Sequence, residues 1–166
     1  MIDRTEFRNA MARLGGAVAV ITTDGPSGRA GFTATAVCSV TDTPPTLLVC
    51  QNRTSYTHGF FTGNGRLTVN LLSAEQQALS GVFADRSLDD AARFASARWS
   101  TLETGSPALD HALVNFDCLI EATQVVGTHA VFFCPVVAIR TATSGAGLVY
   151  FDRNYHHLTD SSRARA

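Results

Sequence analysis

The stretch from Gly31 to Pro45 has residue types that suit contact with a flat ring system. Its Thr33-Ala34-Thr35-Ala36 segment alternates hydroxyl and methyl side chains and carries no large apolar residue. Small side chains let a ligand approach the backbone closely, and the hydroxyls of Thr33, Thr35 and Ser39 can bond to a polyol chain. The same alternation is typical of an ordinary edge strand, so the segment alone leaves both interpretations open.

The segment from Cys50 to Ser55 leaves a predicted strand and enters a predicted short helix. With Ser55 as the cap, the first amides of that helix would face an anion such as a phosphate, and Arg53 would add positive charge. A capped loop with an exposed arginine is the commoner alternative.

His129 follows Gly127 and Thr128 in a predicted tight turn between two strong strands. A histidine in that position is available to a ligand and changes its charge near neutral pH, although a lone turn histidine is more often only solvated. Near the C-terminus, Tyr150 to His156 mixes aromatic and basic residues. That segment could form one wall of a ring site or end a strand on the core.

Other kinds of site find little support in the sequence. The net charge is −1 and no basic tract occurs, which argues against nucleic acid as a partner. The four cysteines form no C-x-x-C pair, and only His156 and His157 are adjacent, so we predict no metal site. Gly63–Gly65 and Gly145–Gly147 each give G-x-G, but neither opens a helix as a dinucleotide-binding fingerprint requires.

The expected location is the cytoplasm, without a membrane segment. Residues 1–6 lack the layout of a signal peptide, and no apolar run reaches about 18 residues. In such a compartment the cysteines are expected to be buried, reduced thiols. Charged residues make up only 16% of the chain, which suggests that a second subunit covers part of its surface.

The pattern predicts a mainly β protein with two or three helices. Asp3 should cap a first helix that ends at Gly15-Gly16. Alternation from Leu113 to Thr123 predicts a long strand with one buried face, and the apolar run from Ala130 to Ile139 predicts a strand covered on both sides, with Pro135 at a bulge or an unpaired segment. About seven strands close in sequence favour a closed or partly closed antiparallel barrel.

Together these segments give the sequence a family resemblance. It resembles the short-chain flavin reductases of two-component monooxygenases, and within them the group of 4-hydroxyphenylacetate 3-monooxygenase reductase components. The matching segments are Gly31 to Pro45, Gly63-Asn64-Gly65 with Val69-Asn70, Arg93-Phe94, Gly127-Thr128-His129, and Gly147 to Phe151 with Tyr155-His156.

The resemblance implies an FMN-binding split β-barrel with Greek-key-like antiparallel topology over residues 1–158 and a polar tail at 159–166. It implies a homodimer that reduces FMN or FAD with NADH, or with NADPH, and releases the reduced flavin to a separate oxygenase. A non-catalytic flavin-binding or haem-handling protein of the same fold is the alternative.

The resemblance also implies roles for individual residues. His129 would lie near the nicotinamide and the flavin as the catalytic residue, Ser55 would take the phosphate, and Tyr155 would close the site. The residues expected to bind the cofactor are Thr33, Ala34, Thr35, Ala36, Ser39, Cys50, Gln51, Asn52, Ser55, Asn70, His129 and Tyr155.

Overall fold

The computed structural model describes residues 2–159, so the predicted tail at 159–166 lies outside the described residues from position 160 onward. Strands dominate this part of the chain, which confirms the predicted mainly β class. The helices are α1 (Arg4–Met11), α2 (His58–Asn64), α3 (Gln77–Ala84, preceded by a 3₁₀ turn at Ala74–Gln76) and α4 (Asp90–Ala95). The strands are β1 (Gly16–Ala17), β2 (Ala19–Thr23), β3 (Ala30–Ala34), β4 (Val37–Asp42), β5 (Pro45–Asn52), β6 (Arg66–Leu71), β7 (Trp99–Thr101), β8 (Pro107–Leu109), β9 (Val114–Leu119), β10 (Ala122–Val126), β11 (His129–Thr141), β12 (Gly147–Phe151) and β13 (Asn154–Leu158).

One antiparallel sheet carries most of the fold. Its strand order is β3-β2-β6-β9-β11-β5-β4, with β10 also paired to β11. Strands β3 and β4 therefore lie at opposite ends of this order, yet only Thr35 and Ala36 separate them in the sequence. Two residues span less than about 8 Å, so the sheet must curl until its two ends meet. This curl produces the partly closed antiparallel barrel that the sequence predicts.

Strand β11 is the longest and holds the two halves of the sheet together. Its first half pairs with β5 on one side and β10 on the other, and its second half pairs with β9. Pro135 was predicted at a bulge or an unpaired segment, but it pairs with Thr46 of β5 and lacks a partner only on its other side, between the β10 and β9 pairings; the bulge falls between Val136 and Ala138. The prediction that both faces of β11 are covered is wrong for this chain, because Ala130, Phe132 and Cys134 are buried while alternate residues are more exposed.

The predicted strand from Leu113 to Thr123 is divided into β9 and β10. The division falls at Ile120 and Glu121, where the chain stops pairing with β6 and continues along β11. The prediction of a single buried face is also wrong, because Asn115 and Asp117 are 1% and 0% exposed. Polar residues on the alternate face therefore lie inside the protein rather than in water.

Hydrogen bonds account for the burial of these polar residues. The Asp117 carboxylate accepts hydrogen bonds from the hydroxyls of Thr68 and Thr104, at 3.0 and 2.6 Å, and from the Thr104 amide at 2.7 Å. The Asn115 amide donates to Asn70 Oδ1 at 2.8 Å and to the Leu109 carbonyl at 3.1 Å. These hydrogen bonds satisfy the buried polar groups and hold the 104–109 segment against the sheet.

The sheet has an apolar cluster on each side. The barrel interior contains Ile21, Val49, Phe61 and Phe132. The second cluster lies under α3 and α4 and consists of Val18, Val20, Leu72, Leu79, Phe83, Phe94, Leu109, Ala112 and Leu148. Strand β2 is buried along its whole length because it contributes to both clusters.

Helix α1 begins as predicted. The Asp3 carboxylate accepts from the amides of Thr5 and Glu6 at 2.9 and 3.2 Å. The apolar side chains of Phe7 and Met11 remain exposed in the single chain. No helix between residues 2 and 159 is both long and apolar enough to cross a membrane.

The cysteines only partly match the expectation of burial. Cys118 and Cys134 are buried, and burial raises the pKa of the Cys134 thiol to about 12. Cys38 is exposed on β4, and Cys50 is half-buried in β5. Burial, followed by the nearby Cys38, raises the pKa of the Cys50 thiol as well.

We predict that Gly31→Ala destabilises the fold. A methyl group there would lie 2.6 Å from Phe83 Cε1 and 3.1 Å from the Ile21 carbonyl oxygen, so the aromatic ring must move. Overpacking of this kind costs about 1–3 kcal/mol of unfolding free energy, measurable by urea denaturation. Gly59→Ala in α2 is the control, because its methyl group would meet nothing within 4 Å. Equal stability of the two variants would contradict this packing.

Candidate functional site

A cleft of about 560 Å³ opens where the two ends of the curled sheet meet. It contains the β3–β4 junction on one wall and the end of β5 with the following loop on another. Helices α3 and α4 and the first residue of β11 complete it. The lining residues are Gly31, Phe32, Thr33, Ala34, Thr35, Ala36, Cys50, Gln51, Asn52, Thr54, Ser55, Tyr56, Thr57, Phe83, Ala84, Arg86, Arg93 and His129.

The wall formed by Thr35 and Ala36 offers backbone hydrogen-bonding groups. The carbonyls are occupied, since Thr35 accepts from the Val37 amide and Ala36 from the Cys50 amide, both at 3.0 Å. Neither the Thr35 nor the Ala36 amide donates to another group within residues 2–159. Two adjacent free amides at a surface with small side chains suit the oxygens and nitrogens of a flat heterocycle. The structure thus explains the small residues by a strand break rather than by one continuous strand.

A chain of hydrogen bonds supports the opposite wall. The buried Gln51 amide donates to Thr57 Oγ1 at 2.9 Å, and Thr57 Oγ1 lies 2.9 Å from Ser55 Oγ. Because Thr57 already accepts from Gln51, its own hydroxyl proton is best placed on Ser55. That arrangement leaves the Ser55 hydroxyl proton directed toward a ligand.

His58 holds the other end of the Gln51 side chain. Its Nδ1 lies 3.0 Å from Gln51 Oε1, which is an acceptor, so Nδ1 carries the proton. Burial, with a smaller effect from Arg53, lowers the pKa of His58 below its ordinary value. The neutral imidazole therefore keeps Gln51 oriented at neutral pH.

The predicted cap of α2 is wrong. The helix begins at His58 with Thr57 in the capping position, and Thr57 makes no capping hydrogen bond. Ser55 therefore does not present a helix N-terminus to an anion. Its contribution to the cleft is its hydroxyl group.

His129 lies opposite Asn52 across the β11–β5 pairing, at the mouth of the cleft. Its Nδ1 is 2.9 Å from Thr128 Oγ1. Asn52 Oδ1 accepts from both the amide and the hydroxyl of Thr54 at 2.9 Å, so the Asn52 NH₂ group is left to face a ligand. Two polar groups thus converge at this end of the cleft.

The other end of the cleft contains residues to which sequence reasoning assigned no role. Arg93 was part of the family resemblance, whereas Tyr56 and Arg86 carried no signal at all. Arg93 is 2% exposed in α4, and its Nη1 donates to Tyr56 Oη. Burial, reinforced by a hydrogen bond to Asp90, raises the pKa of Tyr56 to about 12, so the phenol is neutral.

Most of the residues predicted to bind the cofactor do line the cleft. Three predicted positions do not, namely Ser39, Asn70 and Tyr155. The nine that the structure brings together are Thr33, Ala34, Thr35, Ala36, Cys50, Gln51, Asn52, Ser55 and His129.

Asn70 has a structural position instead. It is 0% exposed in β6, where its amide donates to the Val20 carbonyl and to Thr22 Oγ1, both at 2.9 Å. Its Oδ1 accepts from the Leu109 amide at 2.8 Å. All of its hydrogen-bonding capacity is used within the protein, which corrects the expected role at the cofactor.

Tyr155 and Ser39 are displaced for different reasons. Tyr155 Oη lies 2.6 Å from Ser80 Oγ, and the Ser80 carbonyl accepts from Thr33 Oγ1 at 2.6 Å, so Tyr155 stands behind the cleft wall. Ser39 is exposed on β4, beyond the junction at which the chain changes partners. The prediction that Ser39 contacts the cofactor assumed one continuous strand, in which the alternation of side chains between two faces continues through Thr35 and Ala36.

The flavin reductase like domain matches residues 11–159 of this chain. The chain belongs to this family. The match covers the whole cleft and confirms the resemblance found in the sequence, including its fold.

Relatives and solved structures agree with this membership. The chain is similar to the FMN reductase (NADH) RutF of Stutzerimonas stutzeri, with 57% identity over 160 residues, covering 96% of this chain and 91% of the relative. BorF, the flavin reductase component of a bacterial two-component tryptophan halogenase, has a TM-score of 0.88 at 28% identity and covers 95% of this chain and 99% of its own. The styrene monooxygenase flavin reductase of Pseudomonas putida gives 0.82 at 29% identity, over 92% and 97%.

Proposed function

We propose that this protein is an NADH-dependent FMN reductase. The observation that carries the proposal is the cleft with two free amides at Thr35 and Ala36, located where the family match falls. The relatives at 53–57% identity are named FMN reductase (NADH). The proposal also covers FAD as an alternative to FMN and NADPH as an alternative to NADH, and both are to be tested.

The residues of the cleft fit a flavin that is bound as a substrate. The amides of Thr35 and Ala36 would donate to the ring system, and the Ser55 hydroxyl would donate toward the phosphate. The flavin supplies the acceptor for the hydride of NADH. His129 and Asn52 lie at the mouth of the cleft, where they would orient the nicotinamide against the flavin ring. Hydride transfer needs a separation of about 3–3.5 Å between the reacting atoms.

We further propose that the reduced flavin leaves this protein for a separate oxygenase. BorF is the flavin reductase component of a two-component halogenase, and the Pseudomonas putida protein is the flavin reductase of a styrene monooxygenase. Here the cleft opens to solvent, and its amides and hydroxyls replace bonds that water also offers, which favours exchange over permanent retention. The unpaired state of all four cysteines supports a reducing compartment such as the cytoplasm.

We also propose that the protein forms a homodimer. Large apolar side chains remain exposed on β10 and β11, including Val125, Val126, Val137 and Ile139, in addition to those of α1. Isolated apolar residues are normal at a surface, but this number on neighbouring strands favours a covering subunit.

Light scattering should give twice the chain mass of 17.7 kDa, and a monomer mass would contradict the dimer.

We predict that the purified protein consumes NADH in proportion to added FMN. The reason is that a flavin which exchanges freely turns over as a substrate, so the initial rate follows its concentration until saturation. The measurement is NADH absorbance under air with FMN, FAD or no flavin, and with NADPH in place of NADH. Flavin binding without NADH consumption would overturn the proposal and leave the non-catalytic flavin-binding or haem-handling alternative.

We predict that His129→Ala lowers NADH-dependent FMN reduction at least about tenfold, equivalent to about 1.4 kcal/mol in the barrier. The side chain is exposed and stands at the mouth of the cleft, so its loss should affect turnover far more than unfolding free energy. His156→Ala, on exposed β13, is the matched control and should keep wild-type turnover. Rates within twofold of wild type for both variants would remove His129 from the mechanism.

A further inference from the structure

The guanidinium of Arg93 is buried in the cleft wall with an incomplete set of partners. Its Nη2 donates to the Asp85 carbonyl at 2.5 Å, and its Nη1 donates to Tyr56 Oη and lies 3.5 Å from the Gly31 carbonyl. Its Nε has no hydrogen-bond partner within the described chain. A buried cation normally has all of its donors satisfied, so Arg93, which lines the cleft, brings to it a positive charge that the protein compensates only in part.

Within the part of the chain that the structure describes, Arg93 has one carboxylate at salt-bridge distance, and that carboxylate is shared. Asp90 Oδ1 is 3.4 Å from Arg93 Nη1 and also accepts from Tyr56 Oη at 2.9 Å. The Asp85 carboxylate is engaged mainly elsewhere, since its Oδ1 accepts from the Ser87 amide and hydroxyl at 2.8 and 2.7 Å, and Arg93 is the smallest of the influences on its pKa. Asp90 thus divides its charge between two donors and compensates Arg93 only in part.

The charges that line the cleft all have one sign. Among residues 2–159, Arg86 and Arg93 both contribute to the lining, and no carboxylate does. Arg86 is exposed and free to reorient, whereas Arg93 is fixed by hydrogen bonds to β3, to the loop after α3 and to Tyr56. The Arg93 guanidinium also lies 5.2 Å from the centre of the Tyr56 ring, which holds that ring in place.

We propose that Arg93 is a positioning and specificity-determining residue that makes the cleft select flavins with a terminal phosphate over riboflavin. It acts through Tyr56, whose ring it fixes as the end wall, and through its own buried charge, while Arg86 contacts the phosphate in addition to the Ser55 hydroxyl. This inference rests on the proposed flavin-reducing function. It adds the residues that discriminate between two flavins with the same ring system.

The experiment compares FMN with riboflavin, because the two differ only in the phosphate. Dissociation constants come from fluorescence titration, and KM and kcat from NADH consumption, for wild type, Arg93→Met, Arg93→Lys and Tyr56→Phe. Wild type should bind FMN at least tenfold more tightly than riboflavin. Arg93→Met should lose most of that ratio through a higher KM for FMN with kcat within twofold, and Arg93→Lys should recover part of it.

Arg66→Met is the matched control. Arg66 also donates to backbone carbonyls, those of Thr104 at 2.7 Å and Asn64 at 3.4 Å, but it does not line the cleft. This variant should keep the wild-type ratio. If Arg93→Met fails to fold, Tyr56→Phe and Arg86→Met decide, and each should lower the ratio at least threefold.

Two results would overturn the inference. One is equal weakening of FMN and riboflavin by Arg93→Met, which indicates a packing role alone. The other is a wild-type protein that binds both flavins equally. Either can occur while NADH consumption persists, so the inference fails separately from the proposed function. A wild type that consumes no NADH with either flavin would overturn the function itself.

Discussion

The two-residue link between β3 and β4 is the constraint on which the rest of the structure depends. Thr35 and Ala36 connect strands that lie at opposite ends of the sheet order, so the sheet has to curl until those ends meet. At the point of closure the chain exchanges β2 for β5 as its partner, and the amides of the link are left out of both ladders. The same geometric requirement therefore creates the barrel, the cleft beside it and the free donors that line the cleft.

Local sequence signals predicted much of this arrangement because their causes are local. The Asp3 cap, the Gly127 turn before His129 and β6 follow from residues adjacent in the chain. The prediction failed for Asn115 and Asp117 because alternation reveals two faces of a strand without revealing what covers each face. The cover here is the segment around Thr104 and Leu109, which forms hydrogen bonds to the polar face.

The residues of the site were predictable only in part. Residues at the β3–β4 junction and at the end of β5 reach the cleft together because paired strands place them there. Ser39 could not be excluded from the sequence, since the loss of alternation at Thr35 becomes visible only once strand partners are known. Tyr56 and Arg93 come together through the docking of α4 beside the loop that precedes α2, a tertiary contact without local pattern.

In the proposed mode of binding, the amides of Thr35 and Ala36 receive the flavin. Hydrogen–deuterium exchange of the full-length protein with and without saturating FMN measures this most directly. FMN should slow exchange at residues 33–36 and 51–57, while residues 140–146, which line a separate cavity, should exchange as before. Unchanged exchange at 33–36, with protection concentrated at 140–146, would contradict it.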